Sequence, residues 1–325
     1  MGQLIKVQDY VSRYEQDIFR YPTQFVRLKK QQWSHIHNAF EAGELNQGKY
    51  DDEENDWYGE QTNMLGKVKN IFKRNKGSNQ AEQPAESNDA EKPPFQMNIP
   101  YVPDTIDELK ISFLNQLFLF QMKWATSTIR EKSYVDKSLY LDEKLKFLLM
   151  RFPDTFLVLY KPIFLLQKAP IETESIICTP TETWVVTFLE HEEQAVYIGS
   201  REKFWLRKHH ARPDKKVLNP TIGLQRTEAI VKKLYSLYDV DLPIKKAIIS
   251  REGFVDFPSV PYDVHILDKK GFPEWFESMR KMSAPLKHQQ LKGGEALLDY
   301  SQTTSTMRME WNEEIDHSMD REEEL

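Results

Sequence analysis

Between residues 154 and 198 the chain carries its densest supply of strand-forming residues, and no all-helical fold could absorb them. Runs at 156–160, 163–166, 175–178 and 184–189 are rich in Val, Ile, Leu, Phe and Tyr, and 194–199 adds a fifth. Each has the length of a strand, and the separators Lys161-Pro162, Ala169-Pro170, Thr179-Pro180 and His191-Glu192-Glu193 predict turns. A helical pattern at 138–152 precedes this block. A basic segment at 201–216, a helix at 221–238 and strands at 246–249 and 264–267 follow it. Helix, strands, helix, strands predicts an α/β (α+β) fold with a mixed central sheet flanked by helices.

The flanks read differently. Within residues 4–45, Val7, Tyr10, Val11, Tyr14, Ile18, Phe19, Phe25 and Val26 recur at threes and fours, with Pro22 as a break. That predicts a helical N-terminal module over 1–76, including an acidic loop at 50–60 and a basic amphipathic helix at 64–76. Residues 77–97 read as a disordered linker, because 77–94 (GSNQAEQPAESNDAEKPP) holds no large apolar side chain. The main domain then spans 98–282, opening with Pro103-Asp104 and a helix through Ile106, Phe113 and Trp124. Residues 283–325 read as a flexible acidic tail that ends with seven acids against one Arg.

An apolar fraction of 40% is enough for a core, and a net charge of -6 argues against a surface that grips nucleic acid everywhere, while leaving room for a local basic patch. The start MGQLIKVQDY has no apolar signal region, and the most hydrophobic window, 113–125, is short and interrupted by Asn115, Gln116, Gln121 and Lys123. A soluble cytoplasmic protein without a membrane span is expected. Cys178, the single cysteine, excludes disulfides and cysteine-based zinc sites, and reads as a buried thiol.

No phosphate-cradling glycine loop, HExxH motif or nucleophile elbow is present. Two features could carry chemistry. Glu143, Glu172, Glu174, Glu182, Glu190, Glu192 and Glu193 lie on and around the strand block; paired acids beside a sheet edge can hold a divalent ion for phosphodiester hydrolysis. The segment at 201–216 carries seven Lys or Arg residues around Phe204-Trp205, a composition suited to a nucleic-acid backbone plus a stacked base. Its candidate contacts are Arg201, Lys203, Trp205, Arg207, Lys208, Lys215 and Lys216. The adjacent His209-His210 reads as part of the same patch rather than as a metal site.

The order of these motifs resembles the nuclease-related domain (NERD) family, itself similar to the PD-(D/E)XK nuclease fold, over residues 140–267. Glu143 in Leu-Asp-Glu-Lys-Leu matches the family's helical glutamate, and Glu174 in Thr-Glu-Ser-Ile-Ile stands where the family has a metal-binding Asp. Trp205 matches the aromatic after the third strand, and Asn219, Pro220 and Gln225 match an Asn-Pro-x(n)-Gln motif. The pattern Val-Ile-Glu-x-Lys is broken: Phe188 takes the second carboxylate position and Glu190 the lysine position. Phe cannot ligate a hard cation, and such losses cost orders of magnitude in rate.

The resemblance therefore implies a catalytically degenerate domain that acts as a nucleic-acid-binding or scaffold module, with DNA or RNA as partner. An alternative is an active nuclease whose rearranged site would use Glu143, Glu174 and Glu190 with Mg2+. Another is a protein-interaction factor working through its N-terminal helices or acidic tail.

Overall fold

The computed structural model describes residues 1–45, 102–166, 169–190 and 192–308. The expectations for 50–60, 64–76, 77–97 and the acidic end beyond 308 lie outside the described residues. In chain order the elements are β1 (Gln3–Val7), α1 (Tyr21–Glu41), α2 (Ile106–Trp124), β2 (Glu131–Lys132), α3 (Glu143–Arg151), β3 (Leu157–Tyr160), β4 (Ile163–Leu166), β5 (Ala169–Glu172), β6 (Ser175–Cys178) and β7 (Thr183–Phe188). There follow β8 (Val196–Ile198), β9 (Phe204–His209), β10 (Arg212–Leu218), α4 (Pro220–Leu237), β11 (Ile244–Ile249), β12 (Phe254–Asp256), β13 (Val264–Leu267), α5 (Phe272–Lys281), α6 (His288–Asp299) and β14 (Thr306–Met307).

Two compact units divide the chain, with the boundaries inside α1 and α2: Met1–Val26 with Leu117–Leu325, and Arg27–Gln116. In the smaller unit Trp33 meets Phe113 edge to face, with ring centroids 5.1 Å apart.

The larger unit is built on a six-stranded mixed sheet in the order β1-β3-β6-β7-β11-β13. β3, β6 and β7 form an antiparallel meander; β11 and β13 add in parallel on one side and β1 in parallel on the other. Its strands are buried almost without alternation, as expected of a sheet covered on both faces. On one face α4 packs across β7 and β11, burying Leu224, Val231 and Leu234. On the other, Phe147 of α3 meets Phe188, and Trp275 of α5 meets Trp184. Cys178 is buried, and burial pushes its thiol up to about 11 against the opposing hydrogen bonds of Tyr235 and Thr183.

A four-stranded sheet in the order β10-β9-β8-β12 extends this core. Its inward residues Tyr197 and Trp205 join Leu189, Leu224 and Phe257 in one apolar cluster.

Several segments depart from the sequence reading. Residues 3–7 form a strand instead of the start of a helical module: all five are buried, and Lys6 is neutralised by Glu15 and donates to Thr303 Oγ1 at 2.9 Å. Pro22 lies in the first turn of α1 rather than breaking a helix; no intrahelical N–H is needed there. Tyr14, Tyr21, Phe25, Phe120 and Trp124 pack together in the core, largely edge to face, while Phe19 is exposed. The stretch from 283 is not all tail. α6 buries Ala296, Leu297 and Leu298, and its Gln290 amide donates to the carbonyls of Thr155 and Cys178. Ala169-Pro170 belongs to β5, where Pro170 pairs with Leu165 in a two-stranded sheet; an edge tolerates the missing N–H.

Candidate functional site

Most of the acids singled out for phosphodiester chemistry sit near one end of the central sheet, where β6 begins and β7 and β11 end; Glu182 lies at the other end, bonded to Trp184 Nε1 and Lys245. The register decides which of them can meet. Ser175 pairs with Val186, so Glu174 lies opposite Thr187, on the face covered by α4, and Thr187 hydrogen-bonds to its carboxylate. Residues two apart on a strand share a face. The β7 side chains on Glu174's side are therefore Val185, Thr187 and, just beyond the strand, Leu189. Phe188 points to the opposite face, against Phe147 and under the Lys144 ammonium, 6.0 Å from its ring centroid. The slot facing Glu174 thus holds a threonine rather than the phenylalanine inferred from the sequence, and the next holds a leucine.

Glu174 itself is mostly buried. Burial raises its pKa, opposed by the Thr187 hydrogen bond and by the charges of Lys161 and Arg226. Its carboxylate lies against the backbone of α4 at Gly223, where any Cβ would collide with Oε1. That contact accounts for a glycine inside a helix, a position that usually costs about 1 kcal/mol relative to Ala. The surrounding cleft, about 370 Å³, is lined by Phe188, Arg207, Lys215, Lys216 and Arg226 among others. Asn219 caps α4, accepting from the Thr221 N–H at 3.0 Å and donating to the carbonyl of Glu202 at 2.8 Å. Gln225 is exposed on α4 and lines neither this cleft nor its neighbour.

The neighbouring cleft, about 660 Å³, opens on the α3 side and contains both Glu143 and Glu190. Asp142 caps α3 and accepts a 2.6 Å hydrogen bond from Tyr160. Arg251, at the end of β11, clamps Glu190 with two hydrogen bonds of 2.7 Å, and its guanidinium lies 4.7 Å from the Phe147 ring centroid. Those bonds, opposed by burial and helped by the charges of Glu190 and Glu143, hold the Arg251 pKa above its ordinary value. Glu192 is bridged by Arg207 at 2.5 Å and Arg212 at 2.9 Å. Burial works to raise the Glu192 pKa, but these cations hold it below the ordinary value.

Glu143 and Glu190 therefore share one cleft while Glu174 lines the other. Among the described residues, no three His, Cys, Asp or Glu side chains stand close enough to hold a metal ion. The proposed Mg2+ set of Glu143, Glu174 and Glu190 does not fit: its members are split by the sheet, and one is already saturated by a guanidinium.

The basic segment is also divided, into an inside and an outside. It forms the β9–β10 hairpin, in which Trp205 is 1% exposed, stacks on Phe257 and donates to the Ser200 carbonyl at 2.9 Å. Arg207 is 5% exposed and bonded to Glu192 and the Pro213 carbonyl. Neither can contact a base or phosphate in solution, contrary to the sequence reading. Arg201, Lys203, Lys208, Lys215 and Lys216 are exposed, and the aromatic ring they accompany is that of Phe204, at 47% exposure. Sequence reasoning chose Trp205 over its neighbour Phe204 and passed over Arg251 and Thr187. Strand alternation in Phe-Trp-Leu-Arg-Lys-His was the signal for the first; the other two required the register.

No protein-family model matches this chain, and no solved structure matches it significantly. Over 42 residues it is 50% identical to an RNA 2',3'-cyclic phosphodiesterase of Geobacillus stearothermophilus, which covers 13% of this chain and 13% of that protein. The chain thus matches far less than two thirds of that relative's length. No helix among the described residues is long and apolar enough to cross a membrane.

Proposed function

We propose that this chain is a nuclease-related domain of PD-(D/E)XK-like fold that has lost its catalytic centre and holds nucleic acid without cutting it. The order α3, β3, β6, β7, α4, β11 supports the fold reading: a helix, a three-stranded antiparallel meander, a crossover helix and a strand parallel to the last of the three. The observation that carries the functional reading is Thr187 opposite Glu174. Metal-assisted attack on a phosphodiester needs hard anionic ligands converging on the ion. Glu174 faces a hydroxyl and an isobutyl group, and Glu190 and Glu192 beyond β7 are neutralised by arginines. Exposed lysines at 203, 208, 215 and 216 favour a polyanionic partner. RNA is the nucleic acid named in the description of the relative above.

The test is incubation of the protein with single- and double-stranded DNA and RNA in Mg2+ or Mn2+, beside Glu174→Ala and Glu190→Ala variants. Retention of nucleic acid at low salt without turnover is expected. Turnover that both substitutions abolish would overturn the reading.

A further inference from the structure

The four-stranded sheet has one face in the core and one in solvent, and strand pairing identifies the residues on the outer one. Phe204 pairs with Leu218, Leu206 with both Lys216 and Ile198, and Val196 with both Lys208 and Phe254. These partners share a face, opposite the buried Tyr197, Trp205 and Arg207. The outer face thus has a floor of half-buried Val196, Ile198 and Leu206, with Phe204 at one end and half-buried Phe254 at the other. Leu218, beside Phe204, is 55% exposed.

Lysines ring both aromatics. Lys203 Nζ lies 5.6 Å from the Phe204 ring centroid, and Lys269 and Lys270 lie 5.9 and 6.0 Å from that of Phe254. Lys208 and Lys216 rise from the strands between them, and Asp256 of β12 is an acid on the same face. No described carboxylate pairs with any of the five lysines. A soluble sheet ordinarily covers such a face or makes it polar. Here flat rings, aliphatic floor and unneutralised cations occur together.

We infer that this face is a platform for single-stranded nucleic acid, on which Phe204 and Phe254 stack bases and the lysines hold the phosphates. The assignment rests on the nucleic-acid reading above and gives it a location on the outer face of the second sheet, whose Lys216 and Leu218 also border the Glu174 cleft. Charge complementarity selects the occupant: a polyanion satisfies the lysines, and only its unpaired form presents base faces to the rings. Sheet spacings place the two rings roughly 16 Å apart, two strands across and four residues along. A few nucleotides span that distance, whereas a duplex would leave both rings without a stacking partner.

The test measures binding of labelled oligo(U) and oligo(dT) of about a dozen nucleotides to the full chain by fluorescence anisotropy across a salt series. Phe204→Ala and Phe254→Ala are each expected to weaken binding roughly ten- to a hundred-fold, as for loss of one stacked base. Phe204→Trp should retain it. Phe254→Leu keeps apolar bulk but should weaken binding if stacking is the contact, which guards against a packing defect. Lys208→Glu and Lys216→Glu should weaken binding and flatten its salt dependence. Binding that survives both phenylalanine substitutions would overturn this surface while leaving the nucleic-acid reading in place. If neither oligonucleotide binds at low salt, both go.

Discussion

The central sheet and the four-stranded sheet share an apolar cluster but treat their side chains in opposite ways. Helices cover both faces of the central sheet, so a charge on one of its strands must find its partner inside the fold. Lys246 on β11 does so with Glu228 of α4, and its ammonium also reaches the more exposed Asp263. The second sheet has a single covered face, so neighbours in sequence meet opposite fates: Phe204 out and Trp205 in, Arg207 in and Lys208 out. A run of basic and aromatic residues on a half-covered sheet is therefore two surfaces, and only one of them can meet a partner.

The sharpest way to break that comparison lies within the second sheet. Trp205→Ala removes a fully buried ring and should cost about 3–5 kcal/mol in urea unfolding. A variant as stable as the parent would show that the inside of this sheet is not core. Lys246→Met tests the covered sheet and should cost roughly 3 kcal/mol, because Glu228 and Asp263 would be left facing each other. The same trio gives a pH signature. At Glu228 burial works to raise the pKa, but hydrogen bonds from Lys232 and Lys246 outweigh it and hold it low. Asp263 is lowered chiefly by the Lys246 hydrogen bond. Depressed carboxylates stabilise the fold above their ordinary range and lose that contribution as pH falls through their lowered values. The parent's acid-side decline in stability should shrink in the Lys246→Met variant.

Glu174 carries the opposite sign. Its pKa is raised by burial, so the folded chain holds a proton that the unfolded chain has already released. Stability then falls as pH rises from the ordinary carboxylate range through the raised value. Glu174→Gln should unfold at a higher temperature than the parent at neutral pH, and the two should converge in acid. The smallest effect is expected at Phe204→Ala, within about 0.5 kcal/mol, since the ring stands in solvent. A larger loss would mean that the outer face is covered after all.

How much the sequence discloses follows the same division. Continuous apolar runs give away strands of the covered sheet: β6 and β13 lie where the runs lie, and β7 is displaced by one residue; β4 of the separate two-stranded sheet also coincides with its run. Where burial depends on alternation or distant pairing, the sequence is mute or misleading. β1 has apolar residues at helix-like spacing into the following turn, and its strand character appears only beside β3. Pro170 resembles a turn because an edge strand can spare its N–H. α6 was hidden by Gly293-Gly294, of which Gly293 lets the helix approach the Tyr235 ring closely. At the candidate site, the carboxylates Glu143, Glu174 and Glu190 are legible as residues but not as a constellation. Which face each occupies depends on a one-residue choice of register that composition cannot make.

The pairing of β1 has a consequence for biogenesis. Gln3 docks on Leu157, so this buried strand must wait for a neighbour made some 150 residues later. At ribosomal speeds that wait is roughly 8 to 30 s, far longer than local helix formation takes. The nascent chain would expose this segment throughout, and the sheet edge at β1 would close late.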